Sequence, residues 1–187
     1  MPVLLVMIGS TRPGRVGLPV GHWFADTAEA HGVFEVRVAD LAEVNLPLFD
    51  EPRHPRLGQY QHEHTTRWSA LVDAADAVAV VHPEYNFGMT APVKNAFDYL
   101  YWEWRYKPVA LVSYGGASGG MRAAQMVKQV VTALGMMPLP ESLAIQFPAQ
   151  HVDDGRFTPP APVAEAAGRL LDELARWEGA LTPLRKA

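Results

Sequence analysis

Ala77-Val78-Ala79-Val80-Val81-His82-Pro83-Glu84-Tyr85-Asn86-Phe87-Gly88-Met89-Thr90-Ala91-Pro92 is the stretch whose reading determines the fold. Its first five residues are an unbroken apolar run, the pattern of a strand buried on both faces of a parallel sheet. Pro83 ends the run. Glu84 to Gly88 then offer two aromatic planes and a glycine that permits close backbone approach, and Thr90 is placed to cap a helix carrying Pro92 in its first turn. Val93, Ala96, Phe97, Leu100, Tyr101 and Trp104 continue at helical spacing as one apolar stripe. A short polar and aromatic loop is thus held between two rigid elements.

The same strand, loop and helix grammar recurs on both sides. Val3 to Ile8 is a second buried-strand run, followed by the turn Gly9-Ser10-Thr11-Arg12-Pro13-Gly14-Arg15-Val16-Gly17 and a helix from about Leu18 to Ala30. Backbone N–H groups at such a turn converge on an anion at the helix N-terminus, and Ser10, Thr11 and Arg12 add hydroxyls and a guanidinium. Gly9 and Gly14 have Walker A spacing, but Arg15-Val16 stand where Lys and Ser/Thr are required. Gly14 and Gly17 do not complete a dinucleotide-binding G-x-G-x-x-G, although Asp40 lies about where that motif's acidic residue would fall. A single phosphate monoester fits the turn best; the alternative is an ordinary Gly/Pro turn with solvated arginines.

Phe34 to Val38 alternates and reads as a strand at or near a sheet edge. The long connection from Leu41 to about His64 reads as a lid, an oligomer contact or a mobile insertion, and its His54, His62 and His64 as solvated and not metal-binding. Trp68, Leu71, Val72 and Ala75 mark the next helix. Pro108 to Val112 is a fourth strand, leaving through Ser113-Tyr114-Gly115-Gly116-Ala117-Ser118-Gly119-Gly120. Four glycines in eight residues signal unusual backbone angles, close ligand approach or a flexible surface turn. A helix from about Met121 to Leu134, a strand region from Met136 to Ile145, and a final helix with Val163, Ala166, Ala167, Leu170, Leu171, Leu174 and Trp177 inward complete the pattern, with fraying expected past Gly179.

Composition narrows the function classes. The 187 residues are 49% hydrophobic, enough for one domain spanning 1–187 with a sizeable core. A formal net charge of -4, without a basic stripe, argues against nucleic acid and for small soluble ligands. The absence of cysteine removes disulfide scaffolds, thiolate nucleophiles and thiolate metal sites. The first apolar run is too short to span a membrane, and a cytoplasmic location is expected.

Alternating strands and helices predict a five-stranded parallel sheet with right-handed crossovers and helices on both faces, a three-layer α/β sandwich. With strand order 2-1-3-4-5, the loops after strands one, three and four lie side by side at the topological switch point and would build one site.

At these residues the chain resembles the NADPH-dependent FMN reductases, a flavodoxin-like family that includes small FMN-dependent quinone, azo-dye and chromate reductases. The resemblance rests on Gly9-Ser10-Thr11-Arg12-Pro13-Gly14, on Pro83-Glu84-Tyr85-Asn86 with Lys94-Asn95-Ala96-Phe97-Asp98, and on Ser113-Tyr114-Gly115-Gly116, with Leu46-Pro47-Leu48-Phe49-Asp50 as a further match. It implies FMN as cofactor, with its phosphate on Ser10 and Arg12, its isoalloxazine against Pro83, Glu84, Tyr85 and Asn86, and Ser113, Gly115 and Gly116 lining the other side. It also implies NADPH or NADH as co-substrate and ping-pong hydride transfer to a quinone, free flavin or similar small acceptor. A flavodoxin-type electron carrier with little NAD(P)H reactivity is the alternative; such carriers tend to show a strongly acidic face, and a pI near 5.9 is only mildly acidic. A homodimer or homotetramer is implied, packed through the helix after the second loop, where part of the set Tyr99, Tyr101, Trp102 and Trp104 must lie off the core. Two departures stand out: Gly17-Leu18 occurs where many relatives carry a hydroxyl or amide residue, and His82 where a small hydroxyl residue is common.

Overall fold

The computed structural model describes residues 1–185. Its parallel sheet is built from β1 (Val3–Ile8), β2 (Glu35–Asp40), β3 (Ala77–Pro83), β4 (Pro108–Gly115), β5 (Met137–Pro138) and β6 (Leu143–Gln146). The order is β2-β1-β3-β4-β5, and β6 also pairs with β4. The fifth position, expected as one strand, is therefore shared by two short ones: β5 meets Pro108 and Val109, and β6 meets Val112 to Gly115. β3 is buried at all seven positions, as its apolar run requires, whereas β2 exposes Glu35, Arg37 and Val38 at the sheet edge.

Alternate side chains of each strand feed two cores. Leu4, Val6, Ala79, Val81 and Val112 pack against α1 (Gly17–His31) and α6 (Ala161–Arg185). Leu5, Met7, Val78, Val80 and Leu111 pack against α3 (Glu63–Asp73), α4 (Ala91–Asp98) and α5 (Met121–Ala133). This is the three-layer sandwich, and it brings the loops after β1, β3 and β4 to one end of adjacent strands.

Two helix boundaries differ from expectation. The helix after the second loop stops at Asp98 instead of running to Trp104, because the Glu103 carboxylate accepts from Tyr101 N–H (3.3 Å), Tyr60 Oη (2.8 Å) and Ser69 Oγ (2.6 Å) and draws the chain out of α-geometry into a 3-10 turn at Trp102–Trp104. Trp104 remains buried and donates from Nε1 to Phe97 O, Tyr99 is buried, and Trp102 is the exposed aromatic of the set. The last helix does not fray past Gly179 within the described residues. Arg185 ties its end to Asp76 (3.2 Å) and Glu178 (2.7 Å), offsetting the local cost of Gly179 and Pro183; the fraying expected at 186–187 lies outside the described residues.

The 41–64 connection holds a one-turn helix, α2 (Leu41–Val44), and a 3-10 turn at Pro55–Leu57. Its histidines are not simply solvated. His54 Nδ1 accepts from Arg56 N–H (3.1 Å), His64 Nε2 lies 2.9 Å from Asp50, and the His62 and His64 rings stack. Glu51 is buried and accepts from Gln61 and His62 N–H (2.9 and 3.0 Å), which closes the connection at its base. Among the described residues, no group of three His, Cys, Asp or Glu side chains is placed to hold a metal ion.

Candidate functional site

The first loop is shaped from beneath. Gly9 N–H donates to Val81 O (2.8 Å), and Thr90 Oγ1 donates to Gly9 O (2.7 Å). Thr90 thus occupies the N-cap position of α4, as expected, but uses its hydroxyl to tie the second loop to the first and not to cap the helix. The two arginines of the loop divide their work. Arg15 donates to Ser10 O (2.8 Å) and pairs with Asp40, whose other carboxylate oxygen caps α2 through Ala42 N–H (3.0 Å). Asp40 is therefore a structural anchor. Arg12, with Thr11, Pro13 and Gly14, is exposed.

Ser10 is buried at the N-terminal end of α1, and its Oγ has no hydrogen-bond partner. Tyr114, on the α1-facing side of β4, is likewise buried and its hydroxyl unpartnered. Both oxygens crowd Gly17: a Cβ there would come within 2.0 Å of the phenol oxygen and 2.1 Å of Ser10 Oγ. Burial pushes the Tyr114 phenol well above its ordinary range, so it is a hydroxyl donor. A buried hydroxyl without a partner costs folding free energy, and such costs cluster where a ligand supplies the missing partner.

In the second loop, Pro83 completes β3, and Glu84 N–H donates to Tyr114 O (3.0 Å). The Glu84 side chain turns toward α5: its carboxylate accepts from Arg122 N–H (3.0 Å), Arg122 Nε (2.8 Å) and Ser118 Oγ (3.2 Å), and the Arg122 contact holds it below the ordinary glutamate range. Tyr85 and Gly88 exchange backbone hydrogen bonds (3.1 and 2.9 Å) around Asn86 and Phe87, both at positive φ (50° and 68°), a two-residue hairpin tip of the primed kind. Phenylalanine is unusual there. The Arg122 guanidinium covers its ring at 3.7 Å. Tyr85 and Phe87 are exposed.

In the third loop, Ser113 Oγ donates inward to Gly119 O (2.9 Å). Gly119 and Gly120 have φ of 59° and 83°, and a Cβ on Gly120 would lie 2.8 Å from both N and O of Tyr114, so these two glycines serve close packing of the loop on its own strand. Gly116 is exposed and open, with the half-exposed Phe147 ring 3.8 Å from where its Cβ would be. Phe147, which donates its N–H to Gly115 O (2.7 Å), is a third aromatic at this end; sequence reasoning missed it because it follows the split fifth strand.

The nine residues expected at the site thus fall into two groups. Ser10, Arg12, Tyr85, Asn86, Gly115 and Gly116 lie at the loop mouth; Pro83 completes β3, and the side chains of Glu84 and Ser113 brace the loops. Asn95, part of the motif next to the second loop, grips the 47–49 main chain, donating to Pro47 O (2.6 Å) and accepting from Phe49 N–H (2.9 Å). His82 is fully buried behind the mouth, its Nδ1 3.2 Å from Pro83 O and its Nε2 without a partner.

The family model for NADPH-dependent FMN reductases matches residues 1–150. An NAD(P)H-dependent FMN reductase of Schizosaccharomyces pombe is 35% identical over 171 residues, covering 90% of this chain and 85% of that protein. An NADPH azoreductase of a Bacillus strain is 33% identical over 157 residues, covering 82% and 81%. Among solved structures, FerB of Paracoccus denitrificans, a flavoenzyme NAD(P)H:(acceptor) oxidoreductase, superimposes with a TM-score of 0.77 at 24% identity over 96% of this chain and 98% of that one.

Proposed function

Because this chain belongs to the NADPH-dependent FMN reductase family, we propose that its three-loop mouth binds FMN and that the protein passes hydride from NADPH or NADH to a quinone, azo compound, free flavin or similar small acceptor. The observation that carries this reading is the unpartnered, buried Ser10 hydroxyl at the N-terminus of the 15-residue α1, beside the exposed Arg12. That arrangement suits a phosphate monoester, by helix dipole, hydroxyl and guanidinium together. The exposed Tyr85 and Asn86 at the hairpin tip and the exposed, open backbone of Gly116 suit a flat ring with polar edges lying across the mouth.

When bound, the flavin supplies both the hydride acceptance and the onward donation. The protein's part is to hold and to exclude. Ser10 and Arg12 would hold the phosphate while Arg15, committed to Asp40 and Ser10 O, keeps the turn in shape. Glu84 is charged and bound to Arg122, and His82 is sealed behind the mouth, so neither is placed as a proton donor to an acceptor, and the proton that accompanies the hydride would come from solvent. Donor and acceptor would use the one mouth in turn, and initial-rate plots at varied NADPH and quinone should be parallel.

The test is anaerobic addition of NADPH to the FMN-loaded protein, following loss of the flavin absorbance. Rapid bleaching, reversed by quinone, is expected; FMN that stays oxidised would leave the electron-carrier reading. Arg12→Ala should weaken FMN binding by roughly 1.5–3 kcal/mol, the usual worth of a hydrogen bond to a charged group, with riboflavin affinity unchanged. A homodimer or homotetramer is part of the same reading, supported by the exposed Leu48, Phe49 and Trp102 near α4, and light scattering on the purified protein checks it.

A further inference from the structure

The crowding at Gly17 points to a residue that the phosphate site needs and that sequence reasoning left out. We infer that the Tyr114 hydroxyl is a phosphate-binding donor, acting with Ser10 Oγ, and that Gly17 is kept without a side chain to admit it. This rests on the FMN reading above. Two buried hydroxyls, 1% and 5% exposed by residue, stand over the first residue of α1; they lie side by side, near enough to feel each other, yet neither makes a hydrogen bond of good geometry with the other or with any other protein group. Both lie about 2 Å from the position a Cβ on residue 17 would take. A hydroxyl or amide side chain at 17, the kind the resemblance leads one to expect, is therefore excluded by the phenol, and the phenol brings a hydroxyl of its own to the same space. The donor is delivered from β4 instead of from the loop.

Geometry also explains why a tyrosine can do this. Tyr114 alternates with Val112 and Ala110 toward the α1 side of the sheet, so its ring is packed in the core and only the oxygen reaches the helix end. Glu84 N–H donates to Tyr114 O, and Gly120 lies against its main chain, so the ring's base is fixed from two sides. A donor on a rigid strand loses little freedom when it engages an anion. The turn Thr11 to Gly14 next to Ser10 is exposed and closed by one backbone bond from Arg15 N–H to Arg12 O (3.1 Å), and a phosphate seated there would satisfy both oxygens.

Tyr114→Phe removes the oxygen and keeps the packed ring. Titrated with FMN by flavin fluorescence, this variant should bind at least about tenfold more weakly than wild type, with riboflavin binding unchanged. Inorganic phosphate should raise the melting temperature of the wild-type apoprotein more than that of the variant. In wild type with ring-labelled tyrosine, one deeply buried tyrosine resonance should shift with FMN and not with riboflavin, a readout that does not depend on the variant folding. Unchanged FMN affinity, equal losses for both flavins, or a tyrosine spectrum indifferent to the phosphate would each overturn the assignment while leaving FMN binding by wild type intact. Wild type that binds neither flavin would remove the cofactor reading and the assignment with it.

Discussion

Gly120→Ala should destabilise the protein by about 3 kcal/mol and abolish tight FMN binding at the same time. Left-handed backbone at φ 83° costs a non-glycine residue roughly 1–2 kcal/mol. The new Cβ would also meet Tyr114 N and O at 2.8 Å and Ser113 Cβ at 2.9 Å, and overpacking of this kind costs roughly a further 1–3 kcal/mol. The clashing main-chain atoms belong to β4, paired on both sides, so the loop must move and not the strand. Gly168→Ala makes the control. It lies within α6 with nothing near its Cβ position and should gain up to about 1 kcal/mol by helix propensity. Urea unfolding of both variants beside wild type is the measurement; a Gly120→Ala midpoint equal to wild type would mean that the loop relaxes freely and does not pack as described.

The second large effect is on pH. His82 is fully buried, and burial pushes its pKa down to about 4. Its Nδ1 donates to Pro83 O, which fixes the neutral tautomer and leaves Nε2 a bare acceptor among apolar neighbours. The unfolded chain takes up a proton near pH 6.5, and the folded protein only near 4. Below 6.5 the unfolded state therefore binds more protons, and stability falls as pH falls through that window, being whole above it. At 1.36 kcal/mol per pH unit the loss is roughly 2 kcal/mol by pH 5. His82→Met, similar in volume and uncharged, should show a flatter stability profile between pH 7 and 5. The carboxylates of Asp50, Glu51 and Glu84, held below their ordinary ranges, lose their contributions at lower pH and are common to both proteins. Identical slopes would show that His82 is protonated without penalty.

What the sequence makes legible follows from which forces are local. Apolar runs such as Val78 to Val81 announce buried parallel strands because burial on both faces needs no partner to be named, and sheet order follows from alternation and handedness. The glycines of the first and third loops were readable as points of close approach, but not what approaches: at Gly120 it is the main chain of Tyr114, and at Gly17 a phenol from a strand almost a hundred residues later. Glu84 shows the complementary case. Within its motif it reads as a cofactor contact, but its carboxylate faces the free N–H groups of α5, a pairing set by tertiary approach. The end of α4 at Asp98 is similar, since Leu100 and Trp104 keep helical spacing although the Glu103 cluster has already redirected the chain.

The Glu84 carboxylate has a mechanical meaning as well. It joins the second loop to the start of α5, Thr90 joins the second loop to the first, and Ser113 ties the third loop to its own strand. Cross-braced in this way, the three loops that floor the mouth are tied to one another and to the sheet, so their spacing is set by the sheet and not by each loop alone. The exposed tips, Arg12 to Gly14 and Asn86 to Phe87, lie outside these braces. Traffic through the mouth then asks for displacements of a few side chains on the nanosecond-to-microsecond scale of loop tips, not for a slow opening of domains. Such a floor would hold a bound ring still while its visitors change.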